Sequence, residues 1–83
     1  MALVFEDDVH FDAATDDATI WANDGNERFC LVIQPKILID KYGLEKRFDR
    51  ASAEAIIRRH RADFEQVARA AHDAGHSEVI VGE

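Results

Sequence analysis

Apolar and polar positions along the first part of the chain predict short β-strands. Apolar runs occupy residues 2–5, 18–22 and 28–33, and runs of this length rich in β-branched and aromatic residues are typical of strands. Residues 6–17 are rich in Asp, Ala and Thr, a composition that favours a loop. The sequence therefore predicts three strands before the first helix.

The second and third strands are expected to form a hairpin. They are separated by Asn-Asp-Gly-Asn-Glu at residues 23–27, and Asn-Asp-Gly between two β-prone runs is a strong turn signal. In the third strand Phe29, Leu31 and Ile33 alternate with Arg28, Cys30 and Val32. We expect the first of these two sets to face the core.

A short helix is predicted over residues 35–42. Pro35 suits the first position of a helix because the missing N–H has no partner there, and Gly43 suits the left-handed residue that ends one. Residues 44–50 would connect this helix to the next element. Pro35 and Gly43 thus mark the two ends of a helix of about two turns.

A long helix is predicted from about Ser52 to Ala74, followed by a closing strand at residues 78–82. Asp49 or Ser52 would cap its beginning, and Gly75 would stop it. The predicted order is β-β-β-α-α-β, which indicates one α+β domain over residues 1–83. We expect two layers: an antiparallel sheet of about four strands, with one short and one long helix packed on one face.

Charge limits the partners that this chain can bind. The net charge is −7, and residues 1–27 carry eight acids without any Lys or Arg. Such an acidic segment repels phosphate backbones, so we expect no nucleic-acid partner. No apolar run approaches the length of a membrane span and no secretory signal is evident, so we also expect no membrane partner. A single cysteine, Cys30, fits a reducing compartment, and we expect the cytoplasm.

The basic stretch Arg-Arg-His-Arg at residues 58–61 is the most unusual local feature of the sequence. On a helix its four side chains point in four directions, so they do not form one basic patch. Each arginine also has an acid one turn away, and these partners are Glu54, Asp63 and Glu65. The stretch therefore predicts ion-paired helix surface rather than a phosphate-binding handle.

His60 and Arg61 are the members of that stretch that remain of interest. His60 falls at the centre of a helical stripe formed by Ala53, Ile56, Ile57, Phe64, Val67 and Ala71. One interpretation is a buried neutral imidazole that hydrogen-bonds a carbonyl or carboxylate and fixes the helix. The other is a binding or catalytic site at the seam between helix and sheet. That site would use His60 and Arg61 with Asp7 and Asp12 of the N-terminal loop.

Other candidate chemistry is weak. His72 and His76 are four residues apart, but Gly75 is expected to end the helix between them, and a metal site needs three or four ligands. Cys30 has no basic neighbour fixed by the sequence, which predicts an inert thiol. We find no nucleophile elbow, phosphate loop or dinucleotide motif. The sequence accordingly predicts no catalytic residues, no metal and no cofactor.

The pattern that runs from LVFEDDVHFD through RFCLVIQPKILIDKYG to IIRRHRADFEQVARAAHDAG resembles the family of small uncharacterised bacterial proteins catalogued as domain of unknown function 1488. The positions that carry the resemblance are Phe5, Asp7, Asp12, Tyr42, Gly43, Ile57, His60, Arg61, Glu65 and Ala68. The resemblance implies a compact α+β domain from the cytoplasm of a bacterium. It implies no activity, because none is established for the family.

Two functional hypotheses of different classes follow. The first is a small non-enzymatic protein-interaction module that binds an unidentified protein partner or a second copy of itself through its acidic surface and short edge strands. The second is a small-molecule-binding or enzymatic site at the seam that contains His60 and Arg61. Nucleic-acid binding ranks third.

Overall fold

The computed structural model describes residues 3–82. Strands precede helices in this part of the chain, and one further strand follows the helices. The elements are β1 (Val4–Phe5), β2 (His10–Phe11), β3 (Ala18–Asn23), β4 (Arg28–Ile33), α1 (Pro35–Tyr42), α2 (Arg50–Arg59), α3 (Arg61–Asp73) and β5 (Glu78–Val81).

The strands form one mixed sheet. β1 and β2 both pair antiparallel with β3, β3 pairs antiparallel with β4, and β4 pairs in parallel with β5. The β3–β4 register runs from Ala18 opposite Ile33 to Asn23 opposite Arg28. The hairpin expected at Asn-Asp-Gly is confirmed.

The α+β class is confirmed, but the expected antiparallel sheet of about four strands is wrong in two respects. First, β5 runs parallel to β4, because three helices intervene and carry the chain back to the end of the sheet from which β4 starts. Second, the predicted loop at residues 6–17 contains β2, so the sheet has five strands. The predicted first strand began at Ala2, which lies outside the described residues.

The short helix and both of its predicted ends are confirmed. Pro35 occupies the first turn of α1, and Gly43 ends the helix with a left-handed φ of 77°. Only glycine adopts this conformation without crowding of a Cβ atom. The N–H of Gly43 donates to the carbonyl oxygen of Leu38, which satisfies one of the carbonyls of the last helical turns.

The predicted long helix is wrong, because two helices occupy its place. Asp49 caps α2 by accepting a hydrogen bond from the Ser52 N–H at 2.7 Å. The helical conformation is interrupted at His60, where φ is −109° and ψ is 21°. The His60 carbonyl then accepts from the N–H groups of Asp63 and Phe64, which begins α3.

The core lies between the helices and one face of the sheet. The side chains on that sheet face are at most 1% exposed, and they are Ala18, Ile20, Ala22, Phe29, Leu31 and Ile33. The alternation in β4 predicted this for Phe29, Leu31 and Ile33. The helices contribute Leu38, Ala53, Ile57, Phe64 and Ala68 to the same cluster. All three helices therefore lie on one face, and the opposite face is open in the part of the chain that the structure describes.

Candidate functional site

His60 lies at the junction of α2 and α3 rather than in the core. Its ring packs against the Tyr42 ring with 4.7 Å between centroids, and 37% of its side chain is exposed. Its Nδ1 atom is 3.8 Å from Oδ2 of Asp63, which is too long for a hydrogen bond. The expected buried and hydrogen-bonded imidazole is therefore wrong, because the helix bends at this residue.

Arg61 connects α3 to the segment that follows β1. Its Nε donates to Oε2 of Glu65 at 2.7 Å, as the sequence predicted. Its Nη1 donates to the Asp7 carbonyl at 3.3 Å, and its Nη2 donates to the Glu6 carbonyl. The side chain is 19% exposed. The guanidinium is thus occupied by protein acceptors.

The structure does not bring the four predicted site residues together. Asp7 meets Arg61, but through its carbonyl oxygen rather than its carboxylate. Asp12 instead lies beside Arg50, whose Nη2 donates to the Asp12 carbonyl at 3.4 Å and to Oδ1 of Asp16 at 3.3 Å. The seam hypothesis required acids of the loop to converge on His60 and Arg61, and the carboxylate of Asp12 belongs to a different cluster.

The Asp12 carboxylate is a turn-forming group. Its Oδ1 accepts from the N–H groups of Ala14 at 2.8 Å and Thr15 at 3.2 Å. These two hydrogen bonds, Ala14 first, lower the pKa of Asp12 below its ordinary value, since they favour the charged form. Asp12 therefore shapes the turn between β2 and β3.

A broad depression lies at the connection between α1 and α2. It has a volume of about 500 Å³ and is lined mainly by the connection before α2, including Leu44, Phe48, Asp49 and Ile56. Neither His60 nor Arg61 lines it. Among the described residues, no group of three or more His, Cys, Asp and Glu side chains is arranged to hold a metal ion.

The helices of residues 3–82 are all too short or too polar to cross a membrane.

The open face of the sheet carries a group of adjacent apolar side chains. The strand registers place Trp21, Cys30, Val32 and Ile80 on this face. Cys30 pairs with Trp21 and Val32 pairs with Ile80, and the core residues alternate with these four along the strands. Trp21, Cys30 and Val32 are half-buried, and Ile80 is 45% exposed.

Charged groups flank this open face. The Arg28 guanidinium lies 4.3 Å above the Trp21 ring, and its Nη2 is 3.5 Å from Oε2 of Glu6. Glu78 lies beside Cys30 in the β4–β5 register. Burial, and then the Glu78 charge, raise the pKa of the Cys30 thiol. The thiol is therefore protonated at neutral pH, which fits the inert cysteine that the sequence predicted.

The sequence did not identify this open face as a site. Each residue in it is unremarkable alone, and the alternation in β4 indicates only which side is core. The signal that could have found it is the apolar character of the second side: Cys30 and Val32 stand where a solvent-exposed face usually has polar residues.

Comparisons with protein-family models, curated proteins and solved structures gave no match. The resemblance to domain of unknown function 1488 therefore stays a prediction. The open face and the strand edges are the features on which a function can be argued.

Proposed function

We propose that this protein is a small non-enzymatic protein-interaction module, and that the open face of its sheet is the binding surface. One observation carries the proposal: Trp21, Cys30, Val32 and Ile80 form a continuous apolar face over which the described chain places no helix. An apolar sheet face of this kind is usually covered by another layer, because its burial releases water.

The charge around the face indicates the chemistry of the partner. Glu6, Glu78 and Arg28 lie on or beside the face and leave it with one net negative charge, and the whole chain carries a net charge of −7. A surface with apolar residues at its centre and Lys or Arg at its rim complements this arrangement. Such a partner would approach faster at low ionic strength, since opposite charges attract over about 10 Å at 0.1 M salt.

The seam hypothesis has no comparable support. The Arg61 guanidinium already donates to Glu65 and to two main-chain carbonyls, and the depression at the α1–α2 connection is lined by neither His60 nor Arg61. A ligand at the seam would have to displace these contacts.

The proposal can be tested by affinity capture from the cells that encode the protein, with matched variants. Val32→Lys places a charge on the open face, and Val67→Lys places the same charge on the exposed side of α3. We expect a partner that the wild type and Val67→Lys retain and that Val32→Lys loses. Circular dichroism would establish that both variants are folded. A capture profile that Val32→Lys leaves unchanged would disprove the open face as the binding surface.

Self-association is the second form of interaction that we propose; it uses the free edge of β5, whose Ile80 also belongs to the open face.

A further inference from the structure

Within residues 3–82, β5 is an edge strand whose outward main-chain groups have no partner. Its inner side pairs with β4, where the N–H groups of Cys30 and Gln34 donate to the carbonyls of Ser77 and Val81 at 3.1 and 2.9 Å. In a parallel ladder, alternate residues direct both main-chain groups to the same neighbour. The N–H and C=O groups of Glu78 and Ile80 therefore point away from β4, toward the free edge.

This edge lacks two of the features that usually block strand pairing. The strand reads Glu-Val-Ile-Val and contains neither Pro nor Lys, two residues that natural edge strands use against association. A shallow open depression of about 360 Å³ lies beside it, lined by Ala71, His76, Glu78, Val79 and Ile80. An added strand would meet no covering segment of residues 3–82 at this position.

The distribution of charge favours binding of a second copy of the chain at the β5 edge rather than at the opposite edge of the sheet. β1 and β2 form the opposite edge of the sheet, and they belong to the segment of residues 1–27 with eight acids and no Lys or Arg. Two copies would repel each other there. β5 contains one acid, Glu78, so it is the edge at which like charges oppose contact least.

We infer that β5 pairs antiparallel with β5 of a second copy about a two-fold axis, which joins the two sheets into one. A two-fold arrangement offers the same donors and acceptors from both copies, so each satisfies the other. Small domains bury a limited share of their surface, and oligomerisation adds to it.

We place the two-fold axis at Ile80, a register that keeps the two Glu78 carboxylates apart. An axis at Ile80 places the two exposed Ile80 side chains opposite each other and each Glu78 opposite Gly82 of the other copy. An axis at Glu78 would instead place two carboxylates face to face, which is destabilising. In the Ile80 register the open faces of both copies lie on the same side of the joined sheet. The use of this joined face for partner binding rests on the proposed function, whereas the pairing does not.

Sedimentation velocity over a concentration series tests the pairing. We expect the wild type to shift from monomer to dimer between about 1 µM and about 1 mM, the range in which weak interfaces dissociate. Ile80→Pro removes an N–H that does not donate to β4, and Ile80→Lys adds a charge to the edge, so both should stay monomeric. Val4→Lys changes an apolar residue on β1 that is even more exposed than Ile80, and it should dimerise as the wild type does.

A wild type that stays monomeric throughout that range would overturn the inference, as would an Ile80→Lys variant that dimerises normally. If Ile80→Pro loses its circular dichroism signal, Ile80→Lys decides the question. If the wild type is monomeric but Val32→Lys loses the captured partner, the proposed function stands and only the pairing fails. If the wild type is monomeric and Val32→Lys captures the same partner as the wild type, both proposals fail.

The register is tested by disulfide formation. An antiparallel pair places opposite Cα atoms about 5.5 Å apart, within reach of a disulfide. With Cys30 replaced by Ser, Ile80→Cys should form a covalent dimer on mild oxidation with diamide, whereas Val4→Cys in the same background should not. Failure of Ile80→Cys to cross-link in a protein that dimerises would disprove the Ile80 register.

Discussion

The Nε2 atom of His72 lies 2.9 Å from Oδ2 of Asp24, and this hydrogen bond joins α3 to the β3–β4 turn across 48 positions of the sequence. Both side chains are about one-fifth exposed. Asp24 also accepts from the N–H groups of Asn26 and Glu27 at 2.8 Å each, while the His72 ring packs edge-on against Phe29. One carboxylate thus shapes the hairpin turn and holds the helix on it.

Asp24 should make the stability of the protein depend on pH in the acid range. The Glu27 N–H, the His72 ring and the Asn26 N–H hold the pKa of Asp24 well below its ordinary value of 3.8. A lowered pKa stabilises the folded state above the ordinary value, and this contribution is lost as the pH falls through the folded pKa. We expect Asp24→Asn to unfold at lower temperature than the wild type at pH 7 and pH 5, and the difference to shrink below about pH 4.

Thermal unfolding at several pH values measures this difference. Asp40→Asn, on the exposed side of α1, is the matched control and should follow the wild type throughout. His72→Ala should lower the free energy of unfolding by about 1 kcal/mol, since one hydrogen bond is lost, and His76→Ala should have little effect because His76 is exposed. A difference between Asp24→Asn and wild type that is constant down to pH 2 would contradict the linkage.

Arg61 should stabilise the fold through main-chain contacts that a shorter or simpler cation cannot replace. Arg61→Ala removes donors to Glu65 and to the carbonyls of Glu6 and Asp7, which should cost about 1.5–3 kcal/mol. Arg61→Lys should recover less than half of that free energy of unfolding, because an ammonium group lacks the planar fork that reaches three acceptors. Urea unfolding measures both changes.

Arg58→Ala is the control for Arg61, because Arg58 bonds only Glu54 on the same helix and half of its side chain is exposed. Hydrogen exchange adds a readout that a general loss of stability would not give. In Arg61→Ala the exchange of the amides around residues 6–8 should accelerate, relative to the wild type, by more than the exchange of the β4 amides does. Equal effects of the Arg58 and Arg61 substitutions on stability would contradict this role.

Phe64 and Val67 should differ strongly in their contribution to stability although both were predicted on one apolar stripe of the helix. Phe64 is 2% exposed and Val67 is 43% exposed. Phe64→Ala should cost about 3–5 kcal/mol, because it leaves a cavity against the core face of the sheet. Val67→Ala should change the free energy of unfolding by less than about 0.5 kcal/mol.

Urea denaturation of the two variants measures this contrast. Domains of this size are stabilised by only about 5–15 kcal/mol in total, so Phe64→Ala should shift the midpoint far more than any surface substitution. A Val67→Ala variant that loses as much stability as Phe64→Ala would mean that Val67 is buried in solution, for example in a dimer.

Local signals predicted the ends of elements better than their arrangement. Pro35, Gly43 and Asp49 act through bonds to their immediate neighbours, so their chemistry is readable from a few residues. The break at His60 has no such signal, because neither Pro nor Gly stands there and the ring packing against Tyr42 is a tertiary contact. Val67 was placed on the apolar stripe because the prediction assumed one straight helix through residue 60.

Contacts between distant segments could not be predicted from the sequence. The parallel pairing of β5 depends on the path of three helices, and the turn signals that identify hairpins do not reach across residues 34–77. The bond between Asp24 and His72 was missed because both residues have ordinary local roles, in a turn and near a helix end. Asp12 was grouped with Arg61 by sequence, whereas the fold places it beside Arg50.

Cys30 should react slowly with alkylating reagents, and its two charged neighbours should tune that rate in opposite directions. Burial and the Glu78 charge raise the pKa of the thiol, while the Arg28 charge lowers it. Since only the thiolate reacts, Glu78→Gln should speed alkylation by iodoacetamide at pH 8 and Arg28→Gln should slow it. Each change should be less than about tenfold, because one pKa unit changes the thiolate fraction tenfold. Alkylation of urea-unfolded protein, where all three forms should react alike, separates these electrostatic effects from reagent chemistry; equal rates in the folded proteins would mean that neither charge reaches the thiol.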